Sequence, residues 1–181
     1  MSTVSRPPEP PPRTRRPTEQ EIKRLILASG YDYDTAPETI AAKTAACFLL
    51  AIETAMRAGE ICALEWKNVH TNHVHLPMTK NGTSRDVPLS SEAKRIINQM
   101  GGDGLVWGIT TRQLDANFRK LKKRAVIDGL TFHDSRREAL TRLANKLDVM
   151  ELAKVSGHKD LKILLQVYYA PTIGDLANKL D

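Results

Sequence analysis

Apolar residues recur at helical spacing along most of this chain and alternate at strand spacing in only one place. Thr18-Glu19-Gln20-Glu21 is a capping box, followed by Ile22, Leu25 and Ile26 on one face and by Gly30 as a stop. A helix is therefore predicted from Thr18 to about Gly30. A second is predicted from near Pro37 to about Thr54, where the alanines with Ile40, Phe48, Leu49 and Ile52 imply deep burial. A short helix follows at about Ala58–Leu64. Val74, Leu76 and Met78 then alternate up to Lys80, Asn81-Gly82 suits a type I′ turn, and Ser84–Leu89 returns.

Beyond this hairpin the helical period resumes. Ser91 to Met100 carries Ala93, Ile96, Ile97 and Met100 inward and is closed by Gly101-Gly102. Thr110-Thr111-Arg112-Gln113 caps a helix over 110–127 that presents Leu114, Phe118, Leu121 and Ala125. Short helices are predicted to start near Asp134, Asp148, Asp160 and Thr172. The fold class is mainly α with a small antiparallel β-sheet (α+β), without an internal repeat.

Composition changes the picture mainly at the N-terminus. Residues 1–17 hold six of the ten prolines, with Arg13, Arg15 and Arg16. Such a segment cannot pair its backbone regularly, so it reads as an extended arm or linker, and 18–181 as one domain. A linker implies something on its far side, so the chain is expected to be one domain of a longer protein. At 181 residues, with 41% apolar and 27% charged residues, wholesale disorder is excluded. The longest apolar run, Ala45 to Ile52, is far too short to cross a bilayer, and no secretory signal is legible. A cytoplasmic location is expected, with Cys47 and Cys62 as reduced packing residues. A formal charge of +6 permits a polyanionic partner without requiring one.

No phosphate-binding glycine loop, Cys-x-x-Cys pair or His-Glu-x-x-His helix is present. His70, His73 and His75 are the densest histidine group, but they read as a solvent face beside a turn, and neither metal nor cofactor is expected. The cations Arg119, Lys120, Lys122, Lys123 and Arg124 form a solvated face that could contact duplex phosphates. More informative are scattered residues. Arg57 opens a short helix with Glu60 one turn later to orient it. Lys80 lies at a hairpin tip. His133 and Arg136 are spaced to face one point around a helix start. Gly157-His158 marks a helix junction, and Tyr168 and Tyr169 follow ten and eleven residues after His158.

That order, Arg, Lys, His-x-x-Arg, Gly-His, Tyr, resembles the catalytic domain of tyrosine recombinases, the phage integrase family. Met56-Arg57-Ala58-Gly59-Glu60-Ile61, Leu64-Glu65-Trp66, Thr79-Lys80-Asn81-Gly82, Val87-Pro88-Leu89 and Gly157-His158-Lys159-Asp160-Leu161 carry the likeness, which runs from about Thr18 to the C-terminus. The resemblance implies a site-specific DNA recombinase that cleaves and rejoins strands through a covalent 3′-phosphotyrosine. Its implied catalytic set is Arg57, Lys80, His133, Arg136, His158 and Tyr168, with Glu60 in support. It implies double-stranded DNA as partner and a tetramer of protomers on that DNA, the free chain being a monomer or weak oligomer. Spacing from His158 favours Tyr168 as nucleophile over Tyr169. A relaxing topoisomerase of the same chemistry, or a binding module that keeps only the fold, are the alternatives. One departure is Arg137, where the family often carries His; an altered packing or an extra phosphate contact is expected there.

The chemistry of these residue types suits that role. Guanidinium forks match phosphate oxygens and stabilise charge that grows in a transition state. A phenol near pKa 10 needs nearby cations and a base such as His133 to react at neutral pH. An alkoxide leaving group needs an acid, which Lys80 could be.

Overall fold

The computed structural model describes residues 14–78 and 82–169. Helix α2, Ile40–Thr54, is the axis of the fold. Apolar on nearly every side, it has no solvent face to offer and must be enclosed. Five other helices enclose it: α1 (Glu19–Ser29), α3 (Ala58–Cys62), α4 (Ser91–Asn98), α5 (Thr111–Arg124) and α6 (Asp134–Ala144). Helix α2 starts at Ile40, after the Thr39 cap, later than the Pro37 start expected from the sequence. Phe48 stacks on Phe118 of α5 at 4.9 Å, and Phe132 packs edge-on against both. Removing such a buried ring costs about 3–5 kcal/mol, because the cavity refills only partly.

The caps read from the sequence are present at the helix starts. Thr18 with Glu21 and Thr110 with Gln113 form reciprocal capping boxes; beyond these two, Ser90 caps α4. Helix α5 ends sooner than the 110–127 span implied, at Arg124. Beyond it the Val126 amide reaches the Lys123 carbonyl and the Ile127 amide the Lys122 carbonyl, which is a Schellman turn. Its pivot, Val126, sits at φ 52°, a left-handed conformation for a β-branched residue.

The hairpin is shorter than its alternation suggested. Strand β1 (His73–Leu76) pairs antiparallel with β2 (Arg85–Pro88), Val74 opposite Val87. Met78 lies beyond the last pair and is exposed, so the strand does not reach Lys80. Asn81 and Lys80 fall outside the described residues, as does the helix expected from Thr172. On the outer face His70 stacks on His73 at 4.5 Å, and His75 pairs with Asp86 at 2.7 Å. Among the described residues no group of three or more metal-ligating side chains gathers.

Helices α7 (Val149–Ser156) and α8 (Leu161–Tyr168) pack on α6 around Leu140, Leu152 and Leu164, a second apolar cluster. A strap on α1 and α6 ties down the start of the domain. Pro17 is buried, Arg15 pairs with Glu21 of α1, and Arg16 pairs with Glu138 of α6 at 2.8 Å. Cys47 and Cys62 are both buried free thiols. No helix among the described residues is long and apolar enough to cross a membrane.

Candidate active site

The site is assembled where α2 ends, α3 begins, and the helices α6, α7 and α8 meet them. Ala55 caps α2 in the left-handed conformation, φ 56°, which costs a residue with a Cβ about 1–2 kcal/mol. That turn presents its carbonyl to Arg136 of α6, whose guanidinium donates to it and, at 2.7 Å, to the carbonyl of Ser156. Arg136 is only 4% exposed. Burial, then repulsion from Arg57, pulls its pKa down to about 10, so it still carries its charge at neutral pH.

Arg57 stands at the extended residue before α3. Its backbone N–H donates to Glu60 at 2.8 Å and its guanidinium to the same carboxylate at 2.9 Å. Each Glu60 oxygen also accepts from Arg85 of β2, at 2.8 Å on both sides of a fork. Burial raises the Glu60 pKa, but the hydrogen bonds from Arg85 and Arg57 outweigh it and hold the carboxyl below its usual range. Glu60 is thus an ionised anchor between two arginines.

His158 is placed by a helix end. Gly157 takes φ 71°, and the amides of Gly157 and His158 both reach the Ala153 carbonyl, at 2.8 and 3.2 Å. Only a residue without a Cβ adopts this left-handed turn at no cost, which is why glycine precedes the histidine. Its Nδ1 lies 2.6 Å from the Ser156 hydroxyl oxygen, while that hydroxyl donates to the Leu152 carbonyl. Ser156 has one proton, so with it given to Leu152 the imidazole Nδ1–H is the donor and Nε2 keeps a lone pair. Burial first, then the charges of Arg136, Arg57 and Arg85, push the His158 pKa down to about 4. The imidazole is neutral at pH 7.

His133 occupies the turn before α6 and is exposed. With Arg57, Arg136 and Asp115 it lines a cavity of about 300 Å³. Tyr168 ends α8, half-buried, with the Arg137 guanidinium 5.8 Å from its ring centroid. Arg137 therefore packs on the tyrosine. Burial raises the Tyr168 pKa, and Arg137, Arg136 and Arg16 oppose the rise. Tyr169 turns elsewhere. Its hydroxyl donates to the Leu147 carbonyl, and burial, then Asp148 and Glu151, raise its pKa.

Arg57, Arg136 and His158 are thus brought within electrostatic reach of one another, Tyr168 feels the charge of Arg136, and His133 borders the same cavity as Arg57 and Arg136. Lys80 lies outside the described residues. Of the cation run on α5, Arg119, Lys120, Lys123 and Arg124 are exposed, Arg119 pairs at 3.1 Å with Asp115 of that cavity's lining, and Lys122 donates to the Leu130 carbonyl. Sequence reasoning passed over Arg85 and Ser156. Period-two alternation puts Arg85 on the same face as buried Val87, a legible sign of an inward arginine. For Ser156 no local signal exists.

Residues 15–173 match the model of the phage integrase family. A putative integrase/recombinase of Haemophilus influenzae is 51% identical over 187 residues, covering 100% of this chain and 61% of the relative. A second from that organism is 50% identical over 186 residues, 97% of this chain and 50% of its own. The chain therefore spans between half and about three-fifths of these relatives. The catalytic domain of bacteriophage HP1 integrase superposes with a TM-score of 0.67 at 18% identity, over 92% of this chain and 94% of that one. The chain belongs to the phage integrase family.

Proposed function

We propose that residues 18–181 are the catalytic domain of a site-specific DNA recombinase, with residues 1–17 as an arm leading into it. The observation that carries the reading is the crowding of positive charge around one point. Arg136 and His158 both have pKa values driven down partly by neighbouring arginines. A fold that holds like charges together without a carboxylate to neutralise each one is organised for an anion, and a phosphodiester supplies it. The names of the Haemophilus relatives support DNA strand exchange as the use of that anion site.

In this mechanism Arg57 and Arg136 hold the non-bridging oxygens of the scissile phosphate. The phosphate's own charge favours protonation of His158, whose Nε2–H then donates to one of those oxygens. Tyr168 attacks phosphorus as its phenolic proton passes to His133, the P–O5′ bond breaks, and Lys80 protonates the departing 5′-oxygen. The product is a 3′-phosphotyrosine and a free 5′-hydroxyl. Attack by a 5′-hydroxyl of another strand reverses the step without an external energy source. Double-stranded DNA is the substrate, four protomers assemble on it, the free chain is a monomer or weak oligomer, and the reaction takes place in the cytoplasm.

The test is a nicked suicide duplex bearing the junction sequence of the element that encodes the chain. An SDS-resistant protein–DNA adduct should form, persist in Tyr169→Phe and vanish in Tyr168→Phe. Adduct in neither the wild-type chain nor its full-length parent would refute the reading.

A further inference from the structure

We propose that Arg85 is a positioning residue that sets Arg57 and His158 relative to each other while touching no substrate. The proposal rests on the recombinase reading above. Arg85 sits at the first paired position of β2, opposite Leu76. Its side chain is only 7% exposed, too enclosed to meet a duplex directly. Three hydrogen bonds engage all three nitrogens of the guanidinium. Nη1 and Nη2 grip the two oxygens of Glu60 at 2.8 Å each, and Nε donates to the Val155 carbonyl in the last turn of α7 at 2.9 Å.

Each of these bonds leads to a residue of the site. Glu60 holds both the backbone N–H and the guanidinium of Arg57. Val155 is two residues before Gly157, whose turn aims His158. Gly157 itself passes so close that a Cβ there would lie 3.2 Å from Nη1 of Arg85. One planar fork thus fixes the distance between the start of α3 and the end of α7, where the two phosphate ligands stand. Lysine carries the same charge but has neither the fork nor an Nε to reach Val155. A buried ion pair adds little net stability over an apolar replacement of like shape, so its use here is geometric.

Arg85→Lys separates geometry from charge. It should stay folded and bind the nicked duplex with unchanged affinity, yet cleave about 100-fold more slowly in single turnover at saturating DNA, as a misplaced ligand would cause. Arg85→Met, followed by NMR of the His158 imidazole, should move that titration up toward the ordinary histidine range. Wild-type cleavage in folded Arg85→Lys, or an unmoved His158 titration in folded Arg85→Met, overturns the proposal. Should neither variant fold, Glu60→Gln takes their place: slowed cleavage with unchanged affinity supports the positioning role, and a wild-type rate overturns it. Absence of adduct in the wild-type chain and its parent would fail the recombinase reading instead, and the His158 titration would still decide the placement.

Discussion

The Tyr169 hydroxyl donates to the backbone carbonyl of Leu147, so of two adjacent tyrosines one is committed to holding α8 against the end of α6. Tyr168 sits under the Arg137 guanidinium instead, within reach of the charge of Arg136. Tyr168 is the last residue of α8 and Tyr169, at φ −124°, has already left the helix, so the two side chains take separate partners. Tyr169→Phe should cost about 1 kcal/mol of stability, the usual worth of one hydrogen bond, and leave adduct formation intact. Denaturant unfolding beside the suicide-duplex assay checks both halves.

Gly157→Ala should lose on two counts. The residue would take a left-handed φ of 71° with a Cβ, and that Cβ would press on Arg85. A loss of about 1–3 kcal/mol is expected, together with slower cleavage as the His158 turn relaxes. A variant with wild-type stability and rate would show that the turn does not fix the histidine.

Val126 offers the opposite case. It pivots the Schellman turn after α5 at φ 52°, and its side chain is exposed, so nothing is gained by packing it. Val126→Gly should stabilise the chain by about 1 kcal/mol by relieving that strain. The hydrogen bond from Arg24, which uses the Val126 carbonyl, survives the change. Thermal or urea unfolding reads the gain directly.

His158 gives stability a pH dependence of defined sign. Its folded pKa, about 4, lies below the ordinary histidine value of 6.5, so the unfolded chain binds more protons between those two values. Its contribution is complete above pH 6.5 and is lost as pH falls toward 4. His158→Gln, which cannot titrate, should flatten the unfolding free energy across that window. An unchanged slope would mean the imidazole is not depressed.

Lys120, Lys123 and Arg124, exposed on α5, line no part of the cavity that Arg57, His133 and Arg136 share and should act on affinity alone. Replacing Lys120, Lys123 and Arg124 with Gln should weaken duplex binding and lower the salt slope by about one for each phosphate left without its cation. Single-turnover cleavage at saturating DNA should not change. A fall in that rate would place the run inside the active site.

The sequence disclosed most where the signal is local. Thr18, Thr110 and Asp148 announce their helices because each cap needs a particular side chain at a particular offset. The meeting of Arg57, Arg136 and His158 was legible only through the family resemblance, and the helix junction at Gly157 through its glycine. What stayed hidden depends on the meeting of distant segments. Arg85 reaches Glu60 and Val155 only because β2 packs on α7, and Arg16 finds Glu138 across the whole domain. The early end of β1 was hidden for a related reason: alternation gives a strand's faces, but pairing sets its length, and Met78 lies beyond the last pair. Arg137 shows a third limit, since its stacking on Tyr168 depends on how α8 lies against α6.

The turn that ends α7 is built backward from the Ala153 carbonyl, so His158 is registered to where that helix stops and not to where it starts. The start of α7 has a different duty, since Asp148 caps it and the Leu147 carbonyl just before it receives the Tyr169 hydroxyl. A single residue gained within Val149–Ser156 would swing the terminating turn by about 100° away from the face that Leu152 packs inward. Two duties are thus divided along one short stretch of chain, with the tyrosine helix held at its entrance and the imidazole registered at its exit.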